Sequence, residues 1–90
     1  MKKIGISLRV GTIEEYNEKR DQISQEWIVL LQKLDLIPIL IPNNLLDVKK
    51  IIKFLELDGI ILSGGDNIGD FPERDETEKS IIEMAMNYSI

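Results

Sequence analysis

Ser63-Gly64-Gly65-Asp66-Asn67 is the stretch of this chain whose residue types and spacing best suit chemistry. Two adjacent glycines lack Cβ atoms, take positive φ without strain and let backbone N–H groups approach a bound group closely. Successive N–H groups in such a turn form a concavity for an anion or for a developing negative charge. Gly59-Ile60-Ile61-Leu62 leads directly into it, a short apolar run suited to a strand buried on both faces. A turn leaving a parallel strand also uses glycine for conformational reasons alone, so the pair by itself does not separate a site from a turn.

Specific phosphate loops do not fit. An S-G-G-x-D-S pyrophosphate loop requires Asp and Ser where this chain has Asn67 and Ile68, and a Walker A loop requires Lys-[ST] where Asp70-Phe71 follow Gly69. A dinucleotide fingerprint belongs after the first strand with G-x-G-x-x-G spacing, which is not found. Asp66, Asp70, Glu73, Asp75, Glu76 and Glu78 form an acidic group without EF-hand order. Pro72 is expected to break any shared helical face, leaving solvated carboxylates near the positive end of a helix dipole and no metal site. The chain has no cysteine and no histidine, hence no disulfide, thiol nucleophile, imidazole base or Cys/His metal site.

The elements that position the glycine loop follow from periodicity. Ile4, Ile6 and Leu8 alternate with Gly5, Ser7 and Arg9, a first strand with Arg9 at its carboxyl end. Residues 11–19 are polar and weakly periodic, a long loop with a turn of helix near Glu14 to Tyr16. Asp21 is the expected N-cap of a helix whose stripe is Ile23, Trp27, Leu30, Leu31 and Leu34, with Trp27 as a core anchor. Leu36 to Ile41 reads as a strand, and Pro38, which donates no ladder bond, suits an edge. Asn43 and Asn44 are expected to turn and cap a helix with Val48, Ile51, Ile52 and Leu55 inward and Lys49, Lys50 and Lys53 on a solvated face. After the third strand, Asp75 and Glu78 have capping-box spacing, with Ile82, Ala85 and Met86 as the apolar stripe of the last helix.

The order β-α-β-α-β-α predicts an α/β fold in which three βα units form a parallel sheet with flanking helices. Ligands of such sheets gather at the carboxyl ends of the strands, where Arg9, the Pro42 to Asn44 turn and the glycine loop converge. That convergence favours a site over a bare turn.

Ninety residues allow one domain with a small core. Sixteen acidic against eleven basic residues, without a Lys/Arg stripe, argue against nucleic acid. The apolar runs are too short to span a bilayer, and MKKIGISLRV lacks the apolar region of a signal peptide, so the expectation is a cytoplasmic protein with no membrane partner.

Several pieces, in order, resemble the N-terminal part of class I glutamine amidotransferase-like proteins, in particular the γ-glutamyl-γ-aminobutyrate hydrolase (peptidase C26) branch. They are Ile4-Gly5-Ile6-Ser7 with Arg9; Arg20-Asp21 before the Trp27 helix; Ile37 to Asn43; Asp58 to Asn67; and Arg74-Asp75 with Glu78. The resemblance implies a flavodoxin-like fold and a cysteine acyl-enzyme mechanism on a γ-glutamyl amide, with no cofactor. It implies that Gly65 supplies an oxyanion-hole backbone N–H and Gly64 gives clearance, while Arg9, Asp66 and Asn67 fall near substrate. The nucleophile elbow, its histidine and the acidic partner are missing from the chain. Residues 1–90 thus read as the N-terminal portion of one such domain, stopping before the elbow, as a fragment, a truncated frame or a degenerate copy, and inactive alone. The implied partners are a γ-glutamyl amide or glutamine for the full-length protein, together with a synthase partner or a homo-oligomer. Roles for Arg20, Arg74 and Asp75 are left unassigned. The alternative is a small non-catalytic α/β module binding an anion or a partner through an open sheet edge.

Overall fold

The computed structural model describes residues 1–63 and 71–88. Among these, strand β1 (Lys2–Ser7) is followed by an antiparallel hairpin of β2 (Arg9–Ile13) and β3 (Glu18–Gln22), then α1 (Gln25–Lys33), β4 (Leu36–Ile41), α2 (Val48–Leu55), β5 (Gly59–Ile61) and α3 (Pro72–Tyr88). The chain is an α/β domain with a small parallel sheet of order β4-β1-β5. β1 pairs with β4 from Lys2↔Leu36 to Ser7↔Ile41 and with β5 from Ile4↔Gly59 to Ile6↔Ile61. Pro38 falls on β4, an edge strand of this sheet, where a missing N–H on the outer side costs no ladder bond.

The larger buried cluster lies on one face of the sheet, while Ile6 and Leu31 are buried on the other. Ile41, Val48, Ile52, Leu57, Ile81 and Met84 form a buried cluster, joined by Ile39 and Ile60, and α2 packs against α3 above the sheet. Ile52 is fully buried, which by area removed from water stabilises by about 1.5–3 kcal/mol. Gly5 is required in the middle of β1 because a Cβ there would stand 2.6 Å from Leu57 Cδ1 and 2.9 Å from Ile41 Cδ1. By strand alternation Pro38 and Leu40 face the other way, toward the side where α1 lies against β4. That side is thinly covered: Leu31 is buried, but Leu30, Leu34 and Leu40 are exposed, so only part of the expected α1 stripe reaches the interior.

Several sequence expectations are corrected. The 11–19 stretch is not a loop around one turn: the 3₁₀ turn at Glu14–Tyr16 is present, but it joins two paired strands, in register from Arg9↔Gln22 to Ile13↔Glu18. Every residue of β3 is exposed, so no apolar alternation marks it in the sequence. Asp21 lies in β3, and the N-cap of α1 is Ser24, whose hydroxyl accepts from the Glu26 N–H at 3.3 Å. The N-cap of α2 is Asp47 rather than Asn43 or Asn44, with its carboxylate accepting from the Lys50 N–H at 3.1 Å.

α3 begins at Pro72, three residues before Asp75, since proline's fixed φ and missing N–H suit a first turn. Pro72 therefore does not separate the carboxylates; Glu73, Asp75, Glu76 and Glu78 all follow it on one helix, with Glu73 and Asp75 in the first turn as the dipole favours. The buried face of α3 is Arg74, Thr77, Ile81 and Met84, while Ile82 is exposed. Two of the four inward residues are polar, and that shifts the phase away from the one suggested by apolar residues alone. Among the described residues no helix is long and apolar enough to cross a membrane.

Candidate functional site at the carboxyl ends of the strands

β1 ends at Ser7 and β5 runs out through Leu62 to Ser63, so two hydroxyls meet where these neighbouring strands end. Both serines are buried. The Ser63 N–H donates to Ser7 Oγ at 3.0 Å, and Ser63 Oγ donates to the Ser7 carbonyl at 2.7 Å. Ser7 Oγ donates in turn to Glu78 Oε2 at 2.9 Å. Arg74, only 3% exposed, directs Nε to Glu78 Oε1 at 3.3 Å and donates through Nη2 to the Ser63 carbonyl. The four residues close a ring of hydrogen bonds around Ser63, and both of its backbone polar groups are held by side chains from β1 and α3. A buried guanidinium needs such partners, because leaving it without them costs several kcal/mol.

A second polar cluster lies beyond β4. Asn43 is buried, its backbone N–H donates to Asp21 Oδ2 at 2.9 Å, and its Nδ2 donates to Asp21 Oδ1 at 2.8 Å and to the Leu8 carbonyl at 3.2 Å. Both Nδ2 partners are acceptors, which sets the amide orientation and leaves Asn43 Oδ1 as a buried acceptor with no donor among the described residues. Asp21 thereby pins the root of the hairpin to the end of β4. From the same strand, Lys19 Nζ reaches Glu73 Oε1 at 3.2 Å and sits 5.7 Å from the Phe71 ring centroid. The β2–β3 hairpin is thus tied at Asn43 and again at the start of α3, bridging the carboxyl-end region.

An open cleft of about 820 Å³ separates the start of α2 from the start of α3, and Asn44, Asp47, Lys49, Glu73, Glu76 and Thr77 are among its walls. Three carboxylates against one ammonium make it a poor seat for an anion. Lys49, at the start of α2, forms an exposed ion pair with Glu83, farther along α3. The hydrogen bond to Glu83, followed by the attraction of its charge, raises the Lys49 pKa, and the same two causes lower that of Glu83. No His/Cys/Asp/Glu group among the described residues is arranged to hold a metal.

Of the sequence-derived site residues, Gly64, Gly65, Asp66 and Asn67 lie outside the described residues, as does Asp70. Arg9 opens β2 with its side chain exposed. Arg20 pairs with Glu18 on the exposed strand β3, a surface ion pair, whereas Arg74 turns inward. Lys50 and Lys53 are exposed, in keeping with a solvated face. Sequence reasoning gave Ser7 and Lys19 no role, read Asn43 only as a turn and capping residue, and named Ser63 only as the first residue of the glycine loop. The available signal was positional: a serine stands at or just past the carboxyl end of each of two strands, but that these strands pair, and in what register, is a long-range property. Comparison with protein-family models, with curated proteins and with solved structures returned no match.

Proposed function

We propose that this chain supplies the oxyanion-hole half of a site that cleaves γ-glutamyl amides, within a flavodoxin-like, class I glutamine amidotransferase-like domain. A cysteine thiolate from outside these ninety residues attacks the γ-carbonyl; the carbonyl oxygen becomes an oxyanion, and Gly65 N–H donates to it. The C–N bond then breaks, the amine leaves with a proton from a histidine, and water releases glutamate from the thioester. Losing one such donor typically costs about 2.7–4 kcal/mol of transition-state stabilisation. The substrate is a γ-glutamyl amine or glutamine, the latter with a synthase partner receiving the ammonia.

The observation that carries this reading is the ring at Ser63. It fixes the backbone immediately before Gly64-Gly65, at the carboxyl end of a strand beside the central one. The strand order β4-β1-β5 supports it, since a flavodoxin-like sheet also begins in the order 2-1-3 and binds its ligands between its first and third strands. The resemblance of residues 4–78 to the hydrolase branch supplies the chemistry. Reading the genomic DNA past codon 90 tests it: an apolar strand leading into G-x-C-x-G, with a histidine far downstream, is expected. Absence of that motif both in the continuing frame and in the adjacent genes overturns the proposal.

A second reading is favoured by one observation: among the described residues β5 has no strand on its outer side, and Leu62 and Ile82 are exposed beside it. An unpaired apolar edge suits a module that binds a partner by strand addition. A cooperative melt of the ninety-residue chain whose midpoint rises with protein concentration supports that module, and a concentration-independent melt counts against it.

A further inference from the structure

We propose that Arg74 is a positioning residue: through Glu78 and the Ser63 carbonyl it sets the direction in which the backbone leaves β5. The functional consequence rests on the oxyanion-loop reading, while the positioning itself rests on described residues alone. A peptide unit is planar, so holding the Ser63 carbonyl oxygen fixes the whole plane of the peptide that follows Ser63. Arg74 Nη2 holds that oxygen from α3, and Ser7 Oγ holds the Ser63 N–H from β1. Clamped on both sides, Ser63 has neither ψ nor φ free to drift.

The ring needs arginine in particular. A guanidinium presents donors in a rigid planar fork, so Nε engages Glu78 Oε1 while Nη2 engages the Ser63 carbonyl at the same time. A lysine ammonium is a point donor on a flexible stem and does not hold two acceptors in fixed relative orientation. Glu78 completes the arrangement by using its two oxygens separately, one toward Arg74 and one toward Ser7 Oγ. Burying a charged pair gives little net stability compared with packed apolar side chains. α3 nevertheless places Arg74 and Glu78 one turn apart, beside Thr77 on the inward face. Such a pair is best explained by the one conformation it selects, here the exit from β5.

Hydrogen exchange of the ninety-residue chain, read by NMR with selective ¹⁵N-serine and ¹⁵N-isoleucine labelling, tests this. In Arg74→Lys the Ser63 amide is expected to lose protection by at least about tenfold, as loss of a charge-assisted hydrogen bond implies. The amides of Ile6 and Ile52 are expected to stay within about threefold of the parent, since a local opening does not follow the global one. A uniform loss across all three amides would assign Arg74 a merely structural role and overturn the proposal. Unchanged protection at Ser63 overturns it equally. Glu78→Gln, which keeps the volume and one acceptor oxygen, covers the case in which the lysine variant does not fold, and the same local loss is expected. None of these measurements needs γ-glutamyl chemistry, so failure here is distinct from failure of the proposed function, which the downstream sequence decides.

Discussion

Substituting Gly5 by alanine adds a methyl group at the tightest point of the sheet. The new carbon would stand 2.6 Å from Leu57 Cδ1 and 2.9 Å from Ile41 Cδ1, against an optimal carbon separation of about 3.5–4.0 Å. Both contacts are side-chain ends, which retreat easily at a surface, but Ile41 is 1% exposed and Leu57 8%, so neither has room to move. Overpacking of this kind costs about 1–3 kcal/mol. The stiffer unfolded chain returns about 0.4–1 kcal/mol. At the middle of these ranges the net loss is about 1.3 kcal/mol, and in a domain of this size each kcal/mol moves Tm by about 4–8 °C, so Gly5→Ala should melt about 5–10 °C lower. Circular dichroism at 222 nm reads the melt. Gly59→Ala is the control: among the described residues its Cβ would meet only Ile4 Cδ1, at 3.2 Å, at a half-buried position, and its Tm should change by less than about 4 °C. Combining Gly5→Ala with Leu57→Val, which deletes the nearer obstructing carbon, should cost less than the sum of the two single changes. A Gly5→Ala melt at or above the parent refutes the packing argument.

Two other perturbations address the polar contacts. Asp21→Asn turns an amide N–H toward one of the two Asn43 donors and should lower stability to urea by about 1–2 kcal/mol. Exchange at the hairpin amides should rise more than exchange in β1, and equal changes in both would count against a local anchor. For Glu83 the folded-state pKa is depressed by the hydrogen bond from Lys49 and then by its charge, so its contribution is present above the unfolded value, about 4.3, and is lost as pH falls through the folded one. The Tm gap between parent and Glu83→Gln should therefore close on acidification, and also in about 1 M salt, where the screening length falls to about 3 Å. A gap that widens at low pH would contradict this sign.

The parts of the fold legible in the sequence are those where burial imposes a period. β4 falls at Leu36–Ile41 because one of its faces joins a core, and α2 reveals itself by Val48 and Ile52. β3 was not legible because all five of its residues are polar and exposed, so burial imposes no apolar alternation on it. The phase of α3 was misjudged because Arg74 and Thr77 hold inward positions through hydrogen bonds rather than through apolar area. Residue type alone does not separate the true caps Ser24 and Asp47 from Asp21 and Asn43, which are equally good capping types but bond to each other in the fold. For the site, the sequence pointed to the end of β5, but the Ser7–Ser63 pairing joins residues 56 positions apart and no local pattern encodes it.

The central position of β1 has a consequence for how the protein is made. It is synthesised before either of the strands that flank it: Ile6 pairs with Leu40 on one side and with Ile61 on the other. At about 5–20 residues per second, the 55 residues from Ile6 to Ile61 take roughly 3–11 s to synthesise. Throughout that interval an apolar strand has half or none of its hydrogen-bonding partners. The nascent chain therefore passes through a window in which its most buried strand is its most adhesive one, and conditions that slow elongation lengthen that window in proportion.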